Sequence, residues 1–170
     1  MTTMTNVAVL VPPSGGPAGL ATYRAVFGGP VFDLSFAAVG LSSAGHDLLA
    51  RADILAVAPS ARGTGDGGAE VAATLRDAAR RNCRILAVGG AVLTVAAAGL
   101  LDGRRVSTCP AFAEELRRRY PRVRTAVGVR YVDDDPIFTA ADGPAGLDLC
   151  LHLVRKYHGA AAAAAIARTL

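Results

Sequence analysis

The sequence predicts an α/β fold, a three-layer sandwich in which helices cover both faces of a mostly parallel central sheet. Strand-like apolar runs alternate with helix-like segments of about 10–15 residues, which is typical of strand–helix–strand units. The runs are continuously apolar, as expected for strands buried on both faces. The chain has 170 residues, no internal repeat and no linker-like segment. We therefore expect residues 1–170 to form one domain.

The first part of the chain contains three predicted strands, one helix and one glycine-rich loop. The strands are Val7–Val11, Val31–Val39 and Asp53–Ala58, and proline follows the first and the third of them. The helix is Leu20–Phe27, and the loop is Ala61–Gly68.

The residue pattern in the middle of the chain predicts a helix, a buried strand and a second helix in immediate succession. Glu70–Arg81 places its apolar residues on one helical face and its arginines opposite. Cys83–Val88 is an apolar strand that runs directly into the turn Gly89-Gly90. Ala91–Leu101 is apolar on nearly all sides and is therefore predicted to be a buried helix.

The last third predicts shorter strands followed by closing helices. Arg105–Thr108 is a short strand, and Pro110–Tyr120 is a helix with proline in its first turn. Val123–Phe138 contains two or three short strands around an acidic turn. Asp142–Tyr157 and Ala160–Leu170 are the closing helices.

Composition limits the function classes without naming one. The formal net charge of +4 permits an anionic partner but does not require one. Cys83, Cys109 and Cys150 are too few for a disulfide scaffold, and no pair of them has the spacing of metal ligands. We therefore predict no metal and no cofactor.

The sequence also carries no pattern of membrane insertion or export. Met1–Asn6 is uncharged and precedes only a short apolar run, which differs from a signal peptide. The longest apolar stretch, Ala87–Leu101, contains three glycines and is too short to span a bilayer. We expect a cytoplasmic protein with reduced cysteines and no contact with membranes.

Ligand sites in parallel α/β sheets lie outside the carboxyl ends of the strands. In this chain that rule selects Pro12–Pro17, Pro59–Gly65, Gly89–Gly90, Cys109 and Asp142.

Several segments of the second half together resemble one known superfamily. They are Ala87–Thr108 (AVGGAVLTVAAAGLLDGRRVST), Tyr131–Asp134 (YVDD), Thr139–Asp148 (TAADGPAGLD) and Leu149–Gly159 (LCLHLVRKYHG). These segments resemble the ThiJ/PfpI, class I glutamine amidotransferase-like superfamily. Within it, they are most similar to the sensor domain of AraC-type transcription regulators. The resemblance implies a flavodoxin-like fold and a homodimer.

The chain departs from the superfamily at the positions that carry its chemistry. By the resemblance, the nucleophilic cysteine falls on Gly89 and the histidine falls on Cys109. The predicted helix Leu20–Phe27 has no carboxylate to match the family's acidic residue. Pro59-Ser60-Ala61 replaces a Pro-Gly-Gly segment, and Asp142 replaces a glycine.

These departures favour a domain that binds a small effector molecule without forming a covalent bond. Without a side chain at Gly89, no thioester can form there, and the turn retains a pocket. We expect a regulatory domain that does not itself bind nucleic acid. Its predicted ligand-binding residues are Pro13, Ser14, Pro59, Ser60, Gly89, Gly90, Cys109 and Asp142.

The alternative is a cofactor-independent enzyme, a lyase, isomerase or cyclase, that performs acid/base chemistry in the same pocket. Asp142 is the first candidate for the catalytic group and Cys109 is the second. Asp142 also fits the N-cap of the following helix, and Cys109 also fits a small buried hydrophobic position.

Other polar groups have structural interpretations that we favour over functional ones. Asp133–Asp135 fits a solvated turn better than a metal site, because consecutive carboxylates point in different directions. The arginines around Arg117–Arg119 fit a solvated face better than a nucleic-acid surface, since no aromatic platform accompanies them. His152 is expected to be a satisfied histidine at the core or its edge. His158 is expected at a helix junction.

Overall fold

A computed structural model describes residues 4–13, 15–16, 18–38, 40, 43–60 and 68–170. Ser14 and positions 61–67 of the predicted glycine-rich loop lie outside the described residues. Gly68, the last residue of that predicted loop, is the first residue of a helix.

The described chain alternates strands and helices. The strands are β1 Thr5–Val11, β2 Phe32–Ala38, β3 Ile54–Val57, β4 Arg84–Val88, β5 Arg105–Val106, β6 Arg124–Thr125, β7 Tyr131–Asp134 and β8 Ile137–Ala140. The helices are α1 Ala18–Phe27, α2 Ser43–Ala50, α3 Gly68–Arg80, α4 Ala91–Ala97, α5 Pro110–Arg119 and α6 Gly143–Ala167.

The main sheet has six strands in the order β2-β1-β3-β4-β8-β7. The first five strands in this order pair in parallel, and β7 joins the edge antiparallel to β8. Parallel pairing requires crossover connections, and the helices between the strands provide them. The predicted mostly parallel α/β sheet is confirmed.

Two apolar cores lie on opposite faces of this sheet, because alternate residues of each buried strand point to opposite sides. Along β1, Val7 and Val9 contribute to one core, and Ala8 and Leu10 contribute to the other. Helices α1 and α6 cover the first core, and α2 to α5 cover the second. The three layers follow from this two-sided burial.

The structure corrects several predicted boundaries. Helix α2 was not predicted, since it has only eight residues and includes a glycine. Helix α4 ends at Ala97 rather than Leu101, because Gly99 adopts φ +79°, a left-handed conformation that ends helices. The strand expected at Arg105–Thr108 is limited to its first two residues, which pair with β6 outside the main sheet.

The two closing helices are present as α6, which is interrupted at Gly159 by non-helical backbone angles. No helix in the described part of the chain has both the length and the apolar character needed to cross a bilayer.

Candidate functional site

A sharp turn joins β4 to α4 at the centre of the sheet. Gly89 adopts φ +59° there, and its N–H donates a 2.8 Å hydrogen bond to the carbonyl oxygen of Ala140 at the end of β8. A positive φ costs little for glycine and more for residues with a β-carbon. A β-carbon built on Gly89 would lie 3.5 Å from the Ala141 carbonyl oxygen, which is ordinary contact. The turn therefore has room for a side chain that the sequence does not supply.

A cavity of about 150 Å³ lies at this turn. Its lining comes from the β4–α4 turn, from Pro59 after β3, from the start of α6 and from α1. The lining residues are Gly19, Thr22, Tyr23, Pro59, Val88, Gly89, Gly90, Asp142 and Gly143. The cavity is therefore at the carboxyl ends of the central strands, where parallel α/β sheets bind ligands.

The α1 side of this cavity is neutral. Tyr23 is fully buried and its hydroxyl donates a 3.1 Å hydrogen bond to the Val57 carbonyl oxygen. Burial, with a smaller contribution from nearby Cys150, raises the pKa of the Tyr23 phenol well above its ordinary value. The other lining residues of α1, Gly19 and Thr22, carry no charge. This helix contributes no carboxylate to the cavity, as the sequence indicated.

Helix α1 approaches the β3 end too closely to tolerate a side chain at Gly19. A β-carbon there would lie 2.3 Å from two ring carbons of Pro59. The glycine therefore allows the helix backbone to form one wall of the cavity directly against the proline ring.

Asp142 lines the cavity and caps α6. Its Oδ1 accepts a 2.9 Å hydrogen bond from the Ala145 backbone N–H, the arrangement expected of an N-cap. The predicted N-cap is confirmed. The alternative of a carboxylate buried among apolar walls is wrong in one respect, since Asp142 is exposed. The reason is its position at the open rim, where the helix begins.

The structure brings only part of the predicted ligand site together. Pro59, Gly89, Gly90 and Asp142 line the cavity. Pro13 is exposed, and the buried Ser60 forms an antiparallel bridge with Gly15. Pro13, Ser60 and Cys109 are not among the lining residues, and Ser14 lies outside the described residues.

Cys109 is half-buried at the N-cap position of α5, where its side chain makes no capping hydrogen bond. The expectation of a fully buried residue is therefore corrected to half-burial. This position at the start of a helix leaves one side of the residue open. Its predicted roles in binding or catalysis stay predictions.

The other two cysteines are buried in the cores. Burial raises the pKa of the Cys83 thiol to about 11, and burial also raises the pKa of the Cys150 thiol. Both thiols are therefore protonated at neutral pH and unsuited to nucleophilic attack.

The acidic turn between β7 and β8 forms ion pairs with α6. Asp133 contacts His152 Nε2 at 2.7 Å and Lys156 Nζ at 2.9 Å, and Lys156 also lies 3.3 Å from Asp135. Burial would raise the pKa of the Asp133 carboxyl, but hydrogen bonds from His152 and Lys156 outweigh it and lower that pKa. No group of three or more potential metal ligands occurs among the described residues.

Sequence reasoning did not identify Gly19, Thr22, Tyr23, Val88 and Gly143 as cavity residues. Four of the five lie inside a helix or at its start, and none of the five belongs to a sequence motif that indicates a binding site. Only the packing of α1 and α6 against the sheet brings them to the turn.

Comparisons with known proteins agree with this fold. The model of the DJ-1/PfpI family matches residues 65–156, more than half of the chain. An HTH-type transcriptional regulator ArgR from Pseudomonas aeruginosa is 33% identical over 96 residues, which are 56% of this chain and 29% of that protein. The matched part is thus less than a third of the regulator's length.

Two solved structures share the fold over nearly the whole chain. An AraC family transcriptional regulator from Pseudomonas putida has a TM-score of 0.80 and 21% identity, and the match covers 96% of this chain and 98% of that one. Drosophila melanogaster DJ-1beta has a TM-score of 0.80 and 13% identity, with 98% and 97% covered. The flavodoxin-like α/β fold is thereby confirmed, and the family match over more than half of its length shows that this chain belongs to the DJ-1/PfpI family.

Proposed function

We propose that this chain is an effector-sensing domain that binds a small molecule non-covalently, similar to the regulatory domain of AraC-type transcription regulators. The observation that carries the proposal is Gly89. It lies at the sharp turn before α4 and lines a cavity, yet it offers no side chain that could attack a ligand. By the resemblance, relatives place their nucleophilic cysteine at this position.

The size of the cavity indicates the size of the ligand part that enters it. A volume of about 150 Å³ is comparable to an engineered protein cavity that holds benzene. We therefore expect a group of roughly six non-hydrogen atoms to fill it. Peptide groups at the turn, the Thr22 hydroxyl and the Asp142 carboxylate at the rim supply the polar contacts.

The relatives support a regulatory role. The names of the Pseudomonas aeruginosa and Pseudomonas putida proteins describe transcriptional regulators. The match covers only 29% of the first of these proteins, which leaves room in that protein for a separate DNA-binding part. We propose that this domain passes its signal through a homodimer and does not itself bind nucleic acid.

The enzyme alternative has less support. Asp142 Oδ1 accepts the N-cap hydrogen bond of α6, and Cys109 does not line the same cavity as Asp142. Among the described lining residues, the acid/base side chains are Asp142 and Tyr23, and Tyr23 is fully buried and hydrogen-bonded to Val57. An acid/base reaction at this site would therefore depend on Asp142.

The test is a titration of the protein with phenol, imidazole and 2-pyrrolidone, followed by amide NMR spectroscopy and intact-mass measurement. At least one probe should shift the signals of Gly89, Gly90 and Gly143, and the protein mass should stay unchanged. Thr22→Phe should weaken or abolish these shifts, because Thr22 lines the cavity and a larger side chain there would occupy part of its volume. Thr22→Ser is the matched control and should retain them, because it keeps the hydroxyl and enlarges nothing.

Two results would overturn the proposal. One is the absence of shifts at the turn with all three probes. The other is a covalent adduct on Cys109 or on the Gly89 turn segment when the protein is incubated with reactive carbonyl compounds.

A further inference from the structure

A second and larger cavity of about 310 Å³ lies beside α5. It is formed by Thr108, one face of α5 (Pro110, Ala113 and Arg117), residues 125–130 and Ala141, and it shares no lining residue with the cavity at Gly89. Its volume falls at the lower end of the range for small-molecule sites, roughly 300–1,000 Å³. Neither the family match nor the relatives' names assign a role to it.

The wall made by residues 125–130 is held in place by hydrogen bonds. Ser107 is fully buried, and its hydroxyl donates to the carbonyl oxygens of Val129 at 2.5 Å and Arg130 at 3.2 Å. The Ala126 N–H donates to the Val106 carbonyl oxygen at 2.8 Å. These bonds hold the segment against β5 and against Ser107, the residue that follows it, so the cavity is present without a ligand.

One polar atom of the lining has no partner. The hydroxyl oxygen of Thr125, Oγ1, is buried and has no hydrogen bond to any described residue. Buried polar atoms are nearly always hydrogen-bonded in native proteins. Thr125 lines the cavity, so rotation about its Cα–Cβ bond would turn this hydroxyl toward a ligand atom, which would then accept a hydrogen bond from it.

Two arginines give the cavity a positive charge. Arg130 pairs with Asp148, whereas Arg117 has no ion pair with any described residue. Arg118 and Arg119 follow in the last turn of α5, and Arg119 pairs with Glu115. The cation that remains available at the cavity is therefore Arg117, and guanidinium groups bind carboxylates well.

The remaining lining is mainly apolar. Ala113, Ala126, Val129 and Pro110 present methyl and methylene groups. We infer that this cavity binds a small organic acid. The acid's carboxylate pairs with Arg117 and accepts a hydrogen bond from Thr125, and its short aliphatic part contacts the alanines and Val129. This inference does not depend on ligand binding at Gly89.

The test uses butyrate as the probe, with n-butylamine and inorganic phosphate for comparison, in amide NMR titrations of the full chain. Butyrate at concentrations up to about 50 mM should shift the signals of Ala113, Thr125, Ala126 and Val129 in a saturable way. n-Butylamine should not do so, and phosphate should bind more weakly than butyrate.

Variants distinguish binding in the cavity from general attraction of butyrate to surface arginines. Arg117→Gln should weaken butyrate binding about tenfold. Arg118→Gln, the adjacent exposed arginine outside the cavity, should change it less than about twofold. Thr125→Val should weaken binding, whereas Thr125→Ser should retain it. Urea unfolding of each variant verifies that the fold is intact.

Four results would overturn the inference. Three of them are no saturable shifts with butyrate, equal binding of butyrate and n-butylamine, and equal weakening by Arg117→Gln and Arg118→Gln. Equal affinity for phosphate and butyrate would also contradict it, since it would indicate an anion site that makes no use of the apolar wall.

Discussion

The Thr108 hydroxyl donates a 3.0 Å hydrogen bond to the carbonyl oxygen of Gly89, nineteen residues earlier in the chain. Thr108 lines the cavity beside α5, and Gly89 lines the cavity at the β4–α4 turn. This single bond therefore connects the walls of the two candidate sites.

Replacing Thr108 by valine should destabilise the protein by about 0.5–1.5 kcal/mol, the usual net value of a hydrogen bond. The cost should be at the lower end, because the Gly89 carbonyl also accepts a 3.3 Å bond from the Val92 N–H. Urea unfolding measures the difference. Thr108→Ser keeps the hydroxyl and should recover most of the loss; a neutral Thr108→Val together with a loss in Thr108→Ser would show that the methyl group, not the bond, matters.

Two helix glycines should respond in opposite ways to alanine. Gly19→Ala should cost about 1–3 kcal/mol, because its β-carbon would overlap the rigid Pro59 ring at 2.3 Å. Gly143→Ala should be neutral or stabilising by up to about 1 kcal/mol, since it meets open space. Chemical denaturation of the pair tests this, and similar values for both would contradict the close packing of α1 on Pro59.

Substitutions at Asp142 distinguish a cap from a catalytic group. Asp142→Asn should leave the free energy of unfolding nearly unchanged, because asparagine caps helices about as well as aspartate. Asp142→Ala should cost about 1 kcal/mol. If any turnover is found, its loss in Asp142→Asn at unchanged stability would favour the enzyme alternative over the sensing domain.

The ion pairs of Asp133 should make stability depend on pH in the acid range. The folded-state pKa of this carboxyl lies below its ordinary value of 3.8, so its stabilising contribution is present above that pH. The contribution is lost as the pH falls through the lowered folded-state pKa. Asp133→Asn should thus reduce the free energy of unfolding at pH 7 and have little effect near pH 2.

The measurement is urea unfolding at both pH values, with Asp33→Asn as the control. Asp33 is exposed and makes no ion pair with any described residue, so its substitution should have little effect at either pH. An equal destabilisation by Asp133→Asn at pH 7 and pH 2 would show that its packing, rather than its charge, stabilises the fold.

Lys156 is the lysine that pairs with Asp133 and Asp135. Burial would lower the pKa of this amine, but hydrogen bonds to Asp133 and Asp135 outweigh it and raise the pKa to about 12. Its contribution to stability is therefore complete below its ordinary value of 10.5 and is lost only as the pH rises through about 12.

The fold followed closely from the sequence where segments were long or strongly patterned. Helix α3 was predicted as Glu70–Arg81 and spans Gly68–Arg80, because its apolar residues recur at helical spacing. Strand β4 was predicted as Cys83–Val88 and spans Arg84–Val88. Helix α2 was missed because its eight residues depend on Leu49 packing into the core rather than on local pattern.

The candidate sites were predictable only in part. Rules for parallel sheets selected Pro59, Gly89 and Asp142 as site residues, and these three line one cavity. The arginines around Arg117 were interpreted as a solvated face, since nothing in their spacing shows that Thr125 and residues 126–130 fold against them.

The sequence by itself determined the alternation of strands and helices, the glycine turn after β4 and the cap at Asp142, because each depends on residues that are near one another in the chain. Only the tertiary structure decided which side chains surround each cavity and left Thr125 Oγ1 without a partner among the described residues. The physical reason is that a cavity is the space left between elements, and its shape depends on how helices far apart in sequence pack on the sheet.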